Sequence, residues 1–163
     1  MTDSSPTPPF ETLSLTVDGR IGTLALARPS KLNAMSPTML RELSRAARWF
    51  DEETECTVVV VSGAGRSFCA GFDLDAFRHP QPGDDPRDTA DLGRRMADAV
   101  TDMRAVTVAA VHGHCVGGGL VLAASCDLRV AEVSARFSIP EVDLGIPLAW
   151  GGIPRLVREL GPA

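Results

Sequence analysis

Several things are missing from this chain, and each absence narrows the choice. No apolar run approaches the about 18–20 residues needed to cross a bilayer, so no membrane-spanning helix is expected. The opening MTDSSPTPPFE has neither the basic stretch nor the apolar core of a secretory signal. Residues 1–9 are expected to form a disordered tail ahead of one core domain over residues 10–163. A cationic excess is lacking: 16 Lys and Arg stand against 21 Asp and Glu, a net charge of −5. That balance suits neither nucleic acid nor an anionic membrane surface. Cys56, Cys69, Cys115 and Cys126 show no CxxC spacing and do not form a disulfide framework, which points to a reducing, cytoplasmic setting. Neither Gly-Lys-Ser/Thr, nor G-x-G-x-x-G in register, nor G-x-S-x-G is present, which removes P-loop, dinucleotide-binding and nucleophile-elbow readings. His112-x-His114-Cys115 has no further ligand at zinc-like spacing, so no metal is expected. No repeat at fixed period and no low-complexity tract occurs.

What is there has the size and the 44% apolar content of one globular domain with a core. FETLSLTV and RIGTLALA read as a hairpin about Asp18-Gly19. Ser36 then Pro37 is a helix start, and Leu40, Leu43, Ala47 and Phe50 fall on one helical face. Thr57 to Val61 is an unbroken apolar strand of the kind buried on both sheet faces. HPQPGDDP, residues 79–86, reads as an exposed loop. Met96, Val100 and Met103 mark a helix face leading to a second apolar strand, Val106 to Val111. Short elements follow, then a last helix through IPRLVREL, stopped by Gly161-Pro162. Hairpin, helix, strand, helix, strand, helix argues for an α/β fold.

One pattern occurs twice. VVVVSGAGRSFCAGFDL and VAAVHGHCVGGGLVL each run from a buried strand into a glycine-rich turn. The second opens into an apolar helix, whose first N–H groups lack internal partners and carry the positive end of the helix dipole. Two adjacent strands ending so can aim two backbone N–H groups at one oxygen. That arrangement polarises a carbonyl and stabilises the oxyanion derived from it.

The same residues carry a resemblance. SFCAGFDL and AAVHGHCVGGGLVLAASCDLRVA resemble the two signatures of the enoyl-CoA hydratase/isomerase (crotonase) superfamily. ARPSKLNAMS is similar to its early loop, and FSIPEVDLGI to its Pro-Glu segment. The four stand in the family's order and spacing from about residue 10 onward. The resemblance implies an α/β fold of the crotonase type, a spiral of ββα units, without the further C-terminal helical region that members usually carry. It implies an acyl-CoA thioester as substrate, with coenzyme A entering as part of that substrate and no separate cofactor. It implies a homotrimer or dimer of trimers where that C-terminal region is supplied. The oxyanion donors map onto Ala70 and Gly118 through their backbone N–H groups, and the base onto Glu141. Arg28, Lys31 and Leu32 would lie along the CoA nucleotide, with the two cations near phosphates. Phe68 and Cys69 would line the adenine and pantetheine path. Gly71, Asp73, Leu74, Gly117 and Val121 complete the residues placed along the substrate, and residues 75–90 would border the acyl chain. Asp73 and Asp127 are expected to bond backbone in their turns, and Trp150 to lie in the core.

One departure shapes the chemistry. Family hydratases use two glutamates, and the position of the second is Val121, which can neither accept nor donate a proton. Asp143 would share the face of Glu141 if that segment were extended. A single glutamate suffices to move a proton from C2 to C4 of a thioester. The expectation is double-bond isomerisation (or hydration) of an enoyl-CoA in fatty-acid metabolism with a single glutamate base, isomerisation exceeding hydration. The alternatives are a non-catalytic acyl-CoA-binding protein or an inactive crotonase remnant.

Overall fold

A computed structural model describes residues 7–79, 86–143 and 145–162. The expected hairpin is strands β1 (Leu13–Asp18) and β2 (Ile21–Leu26), antiparallel, with Asp18 opposite Ile21. Gly19 takes φ +57° in the tight turn between them, a conformation that costs glycine little. Helix α1 (Pro37–Glu53) is capped by Ser36, whose hydroxyl accepts from Met39 N at 3.2 Å. All four residues assigned to its apolar face, Leu40, Leu43, Ala47 and Phe50, are buried.

Strand β3 (Val58–Gly63) pairs parallel with β2, and β4 (Val106–Val111) pairs parallel with β3. Strand β6 (Leu128–Ala131) completes a five-stranded sheet of order β1-β2-β3-β4-β6. Val59 and Val61 are fully buried while Val58 and Val60 are only half-buried, so β3 is sealed on one face rather than both. Helices α1 and α3 (Pro86–Thr101) pack against each other, α3 contributing the buried Met96 and Val100 and the following turn Met103. The expected loop over residues 75–90 contains the short helix α2 (Leu74–Arg78) and the start of α3. Residues 80–85 of that loop, and 1–6 of the expected tail, lie outside the described residues.

The second glycine loop holds a strand that the sequence does not announce. Strand β5 (His114–Val116) pairs parallel with β7 (Arg136–Ser138) in a separate two-stranded sheet. Helix α4 (Gly118–Ser125) follows, apolar all round and almost wholly buried, and α5 (Gly152–Leu160) lies against it. Asp127 fixes the far end of α4. Its Oδ2 accepts from Thr107 N at 2.8 Å and Thr107 Oγ1 at 2.9 Å, while Thr107 Oγ1 accepts from Asp127 N at 2.9 Å. Beside the Glu141 turn lies an apolar groove lined by Ile139, Val142, Ile146, Ile153, Val157 and Leu160. Among the described residues no helix is long and apolar enough to cross a membrane.

Candidate active site

Strands β3 and β4 are parallel neighbours, so the two glycine loops leave the same edge of the sheet. There they zip together. Phe68 N donates to His112 O at 2.8 Å, Cys69 N to His114 O at 2.9 Å, and Val116 N to Cys69 O at 3.0 Å. Asn33, itself fully buried, ties in the early loop. Its Nδ2 donates to Ala64 O and Ser67 O, both at 2.8 Å, and its Oδ1 accepts from Arg28 N at 2.9 Å. Three segments distant in sequence thus form one rigid cradle.

The N–H expected to serve as the first oxyanion donor is already in use. Ala70 N donates to Leu32 O at 2.9 Å. The next N–H on that side of the extended segment is different. Met35 N donates to Gly71 O at 2.8 Å and Asp73 N to Met35 O at 3.0 Å. In a parallel bridge of this kind the residue between, Phe72, turns its own N–H away from Met35. Among the described residues Phe72 N has no acceptor, and neither does Gly118 N at the start of α4. The two lie close. A Cβ built on Gly71, at φ +93°, would stand 3.8 Å from Gly118 N and 3.0 Å from Val116 O. Gly71 is therefore required by both its backbone angle and its neighbours. Phe72 and Gly118, not Ala70 and Gly118, are the free pair.

Glu141 comes to the same place. It sits in a turn after β7, where Val142 N donates to Ile139 O at 3.2 Å and Asp143 N to Pro140 O at 3.1 Å. The segment is not extended, so Asp143 does not share the face of Glu141 and stays exposed. The carboxylate packs on Gly117, where any Cβ would collide with Oε1. Gly117 N donates to Ser138 O at 3.0 Å, and its φ of +48° turns the chain into α4. Glu141 Oε2 is buried and has no hydrogen-bond partner among the described residues. A buried carboxylate oxygen left unsatisfied is costly and marks a group held for something else.

The remaining expected residues divide. Val121 is fully buried, one turn into α4 beneath Gly152 and Leu148, with no surface for a substrate. Phe68 and Cys69 are also fully buried and offer no surface to a substrate. Burial pushes the Cys69 thiol up to about 12. Arg28 is held by Asp73 at 2.9 Å and by Ala34 O at 2.5 Å, which makes it a brace between loops rather than a free cation. Asp73 caps α2, its Oδ1 accepting from Asp75 N at 3.1 Å, as expected of a turn aspartate. Leu32 adopts φ +50° and supplies the carbonyl that occupies Ala70. Lys31 is exposed but paired with Asp75 at 2.6 Å. Leu74 opens α2 and is 57% exposed. Trp150 is half-buried rather than core. Asn33 and Phe72 were not singled out from sequence. The only signal for them was their place inside the two motifs.

A mixed α/β core in which two glycine-rich turns meet beside a carboxylate with a buried, unpartnered oxygen is the arrangement of the crotonase fold. The chain belongs to the enoyl-CoA hydratase/isomerase family, whose sequence profile matches residues 16–163. It is 38% identical over 148 residues to a mevalonyl-coenzyme A hydratase of Aspergillus fumigatus, covering 85% of this chain and 51% of that protein. It is 34% identical to the peroxisomal Delta(3,5)-Delta(2,4)-dienoyl-CoA isomerase of Arabidopsis thaliana, covering 94% of this chain and 59% of that one. A Thermobifida fusca relative crystallised with acetoacetyl-CoA superposes with a TM-score of 0.82 at 30% identity, covering 92% of this chain and 62% of its own. The chain therefore spans between half and two thirds of the length of these relatives.

Proposed function

We propose that the site binds an acyl-CoA thioester and isomerises a 3-enoyl-CoA to the 2-enoyl-CoA with Glu141 as the single base. The thioester oxygen accepts from Phe72 N–H and Gly118 N–H. Glu141 removes a proton from C2, and the electron pair moves into the carbonyl to give a dienolate held by the two donors. The same carboxyl returns the proton at C4 as the enolate collapses, so the proton and charge balance within one residue. The relatives that act on CoA thioesters, and the one crystallised with acetoacetyl-CoA, support the substrate class.

The observation that carries this reading is the unpartnered Oε2 of Glu141 beside the Gly117-Gly118 turn, with no second carboxylate in reach through α4. Val121 is sealed under Gly152 and Leu148 and offers no polar anchor for a water. Hydration needs an activated water as well as a proton donor. The test is to follow purified chain with a 3-enoyl-CoA and with crotonyl-CoA. Isomerisation is expected to outrun hydration. Faster hydration overturns the single-glutamate mechanism, and tight binding of acyl-CoA without turnover of either substrate leaves a binding protein.

A further inference from the structure

Trp150 is built into the fold at a cost that packing alone does not explain. It is one of three non-glycine residues with positive φ among the described residues, at +59°, and Gly151 follows at +71°. A bulky residue in the left-handed region persists only when its surroundings impose it. Arg155 does so. Its Nη1 donates to Gly151 O at 3.1 Å and Trp150 O at 3.5 Å, while Nη2 meets Asp98 at 2.9 Å and Thr101 Oγ1 at 3.2 Å. The turn is thereby fastened to α3.

Two glycines make room for the indole. A Cβ on Gly93, within α3, would run into its Cδ2, Cε2 and Nε1, and a Cβ on Gly118 into Cζ3 and, at 2.8 Å, Cη2. Phe72 meets it edge-on, with ring centroids 6.0 Å apart and planes at 81°. The indole thus touches both residues whose N–H groups are free, yet remains half-exposed. The ring stands against the Phe72–Gly118 pair, packed on the core without being enclosed by it.

The geometry points to Trp150 as the residue that sets acyl-chain length, closing the pocket beyond the thioester so that short acyl groups fit and long ones do not. This rests on the acyl-CoA reading above. A chain leaving a carbonyl held between Phe72 and Gly118 meets the indole within its first carbons, and a rigid wall cannot give way to extra methylenes.

The test compares butyryl-CoA with decanoyl-CoA on the wild-type chain, W150A and W150F, by equilibrium binding. Binding is read because it does not depend on Glu141 chemistry. Wild type is expected to favour the four-carbon ligand. W150A should shift the preference toward the ten-carbon ligand by roughly tenfold or more, with W150F between them. W150F keeps an aromatic ring in the turn and serves if the alanine variant does not fold. A preference that stays within about twofold of wild type in a folded variant overturns the proposal while leaving the acyl-CoA reading intact. So does a wild-type chain that already binds decanoyl-CoA as tightly. If neither CoA ester binds to wild type, the acyl-CoA reading fails and the wall assignment falls with it.

Discussion

Glu42 and Glu141 are both drawn out of water, one beneath the first strand and the other beside the second glycine loop. Glu42 is saturated. Its carboxylate accepts from Glu11 N at 2.7 Å, Thr12 N at 2.8 Å and Thr12 Oγ1 at 2.5 Å, which sews the entry to β1 onto α1. Glu141 has an oxygen with no partner among the described residues. The same side chain is a saturated structural tie in one region and keeps an unsatisfied oxygen in the other. What differs is the supply of donors. At Glu42 a strand end turns its N–H groups inward. Near Glu141 the Gly117 N–H is spent on Ser138 O, and the N–H groups of Phe72 and Gly118 have no acceptor among the described residues.

Exchange of each glutamate for glutamine should separate the two regions. Glu141→Gln is expected to lower turnover by about 10²–10⁴-fold, the range of a lost general base, with thermal stability unchanged or raised. Steady-state rates beside a melting curve check this, and activity within about tenfold of wild type would remove Glu141 from the role of base. The donor pair is tested next. Replacing the Phe72 amide N–H by an ester oxygen, through incorporation of phenyllactic acid, should cost about 10²–10³ in turnover. The same exchange at Ala70 should instead cost about 1 kcal/mol of stability with turnover kept, because that N–H is bonded to Leu32 O. If the Ala70 ester is the inactive one, the donor assignment reverts to Ala70.

Glu42→Gln belongs to the other side of the comparison. An amide offers its NH2 to groups that are themselves donors, so one contact turns repulsive. The variant is expected to lose about 1–3 kcal/mol in urea unfolding while the activity of the folded fraction stays level. An unchanged midpoint would mean that the Thr12 contacts do not hold β1 to α1.

These residues also show where the sequence was legible. The hairpin, the apolar face of α1, the presence of the two apolar strands and the pair of glycine loops follow from local pattern and stand in the fold, although β3 is buried on one face only. Strand β5 does not follow, because three residues among glycines read as loop and its partners, β7 and Cys69, are distant in sequence. The identity of the free donor was hidden for the same reason. Whether Ala70 or Phe72 keeps its N–H is decided by Leu32 and Met35, 38 and 37 residues away respectively. Arg28 and Lys31 read as available cations until Asp73 and Asp75 are brought against them. Glu42 could have been found. It lies three residues after Met39 and four before Ala46, on the buried stripe of α1.

The smallest effect is expected at the Lys31–Asp75 pair, which spans the mouth of the cradle from the early loop to α2. The hydrogen bond from Lys31, and then its charge, hold Asp75 below its ordinary value of 3.8, and Asp75 raises Lys31 above 10.5 in return. The lowered acid contributes stability above its unfolded value and loses it as pH falls through the folded one. The raised amine contributes below its unfolded value and loses it as pH rises through the folded one. The pair is therefore complete between 3.8 and 10.5. Both side chains are more than half exposed, at 52% and 61%, so water and salt screen most of the attraction. Asp75→Asn should leave the melting temperature at neutral pH almost unmoved. It should also release Lys31 toward a CoA phosphate, raising acyl-CoA affinity about twofold to fivefold at low salt, a gain that disappears near ~1 M salt. Affinity that does not change at low salt would take Lys31 out of the nucleotide contact and leave the Lys31–Asp75 pair as a surface feature only.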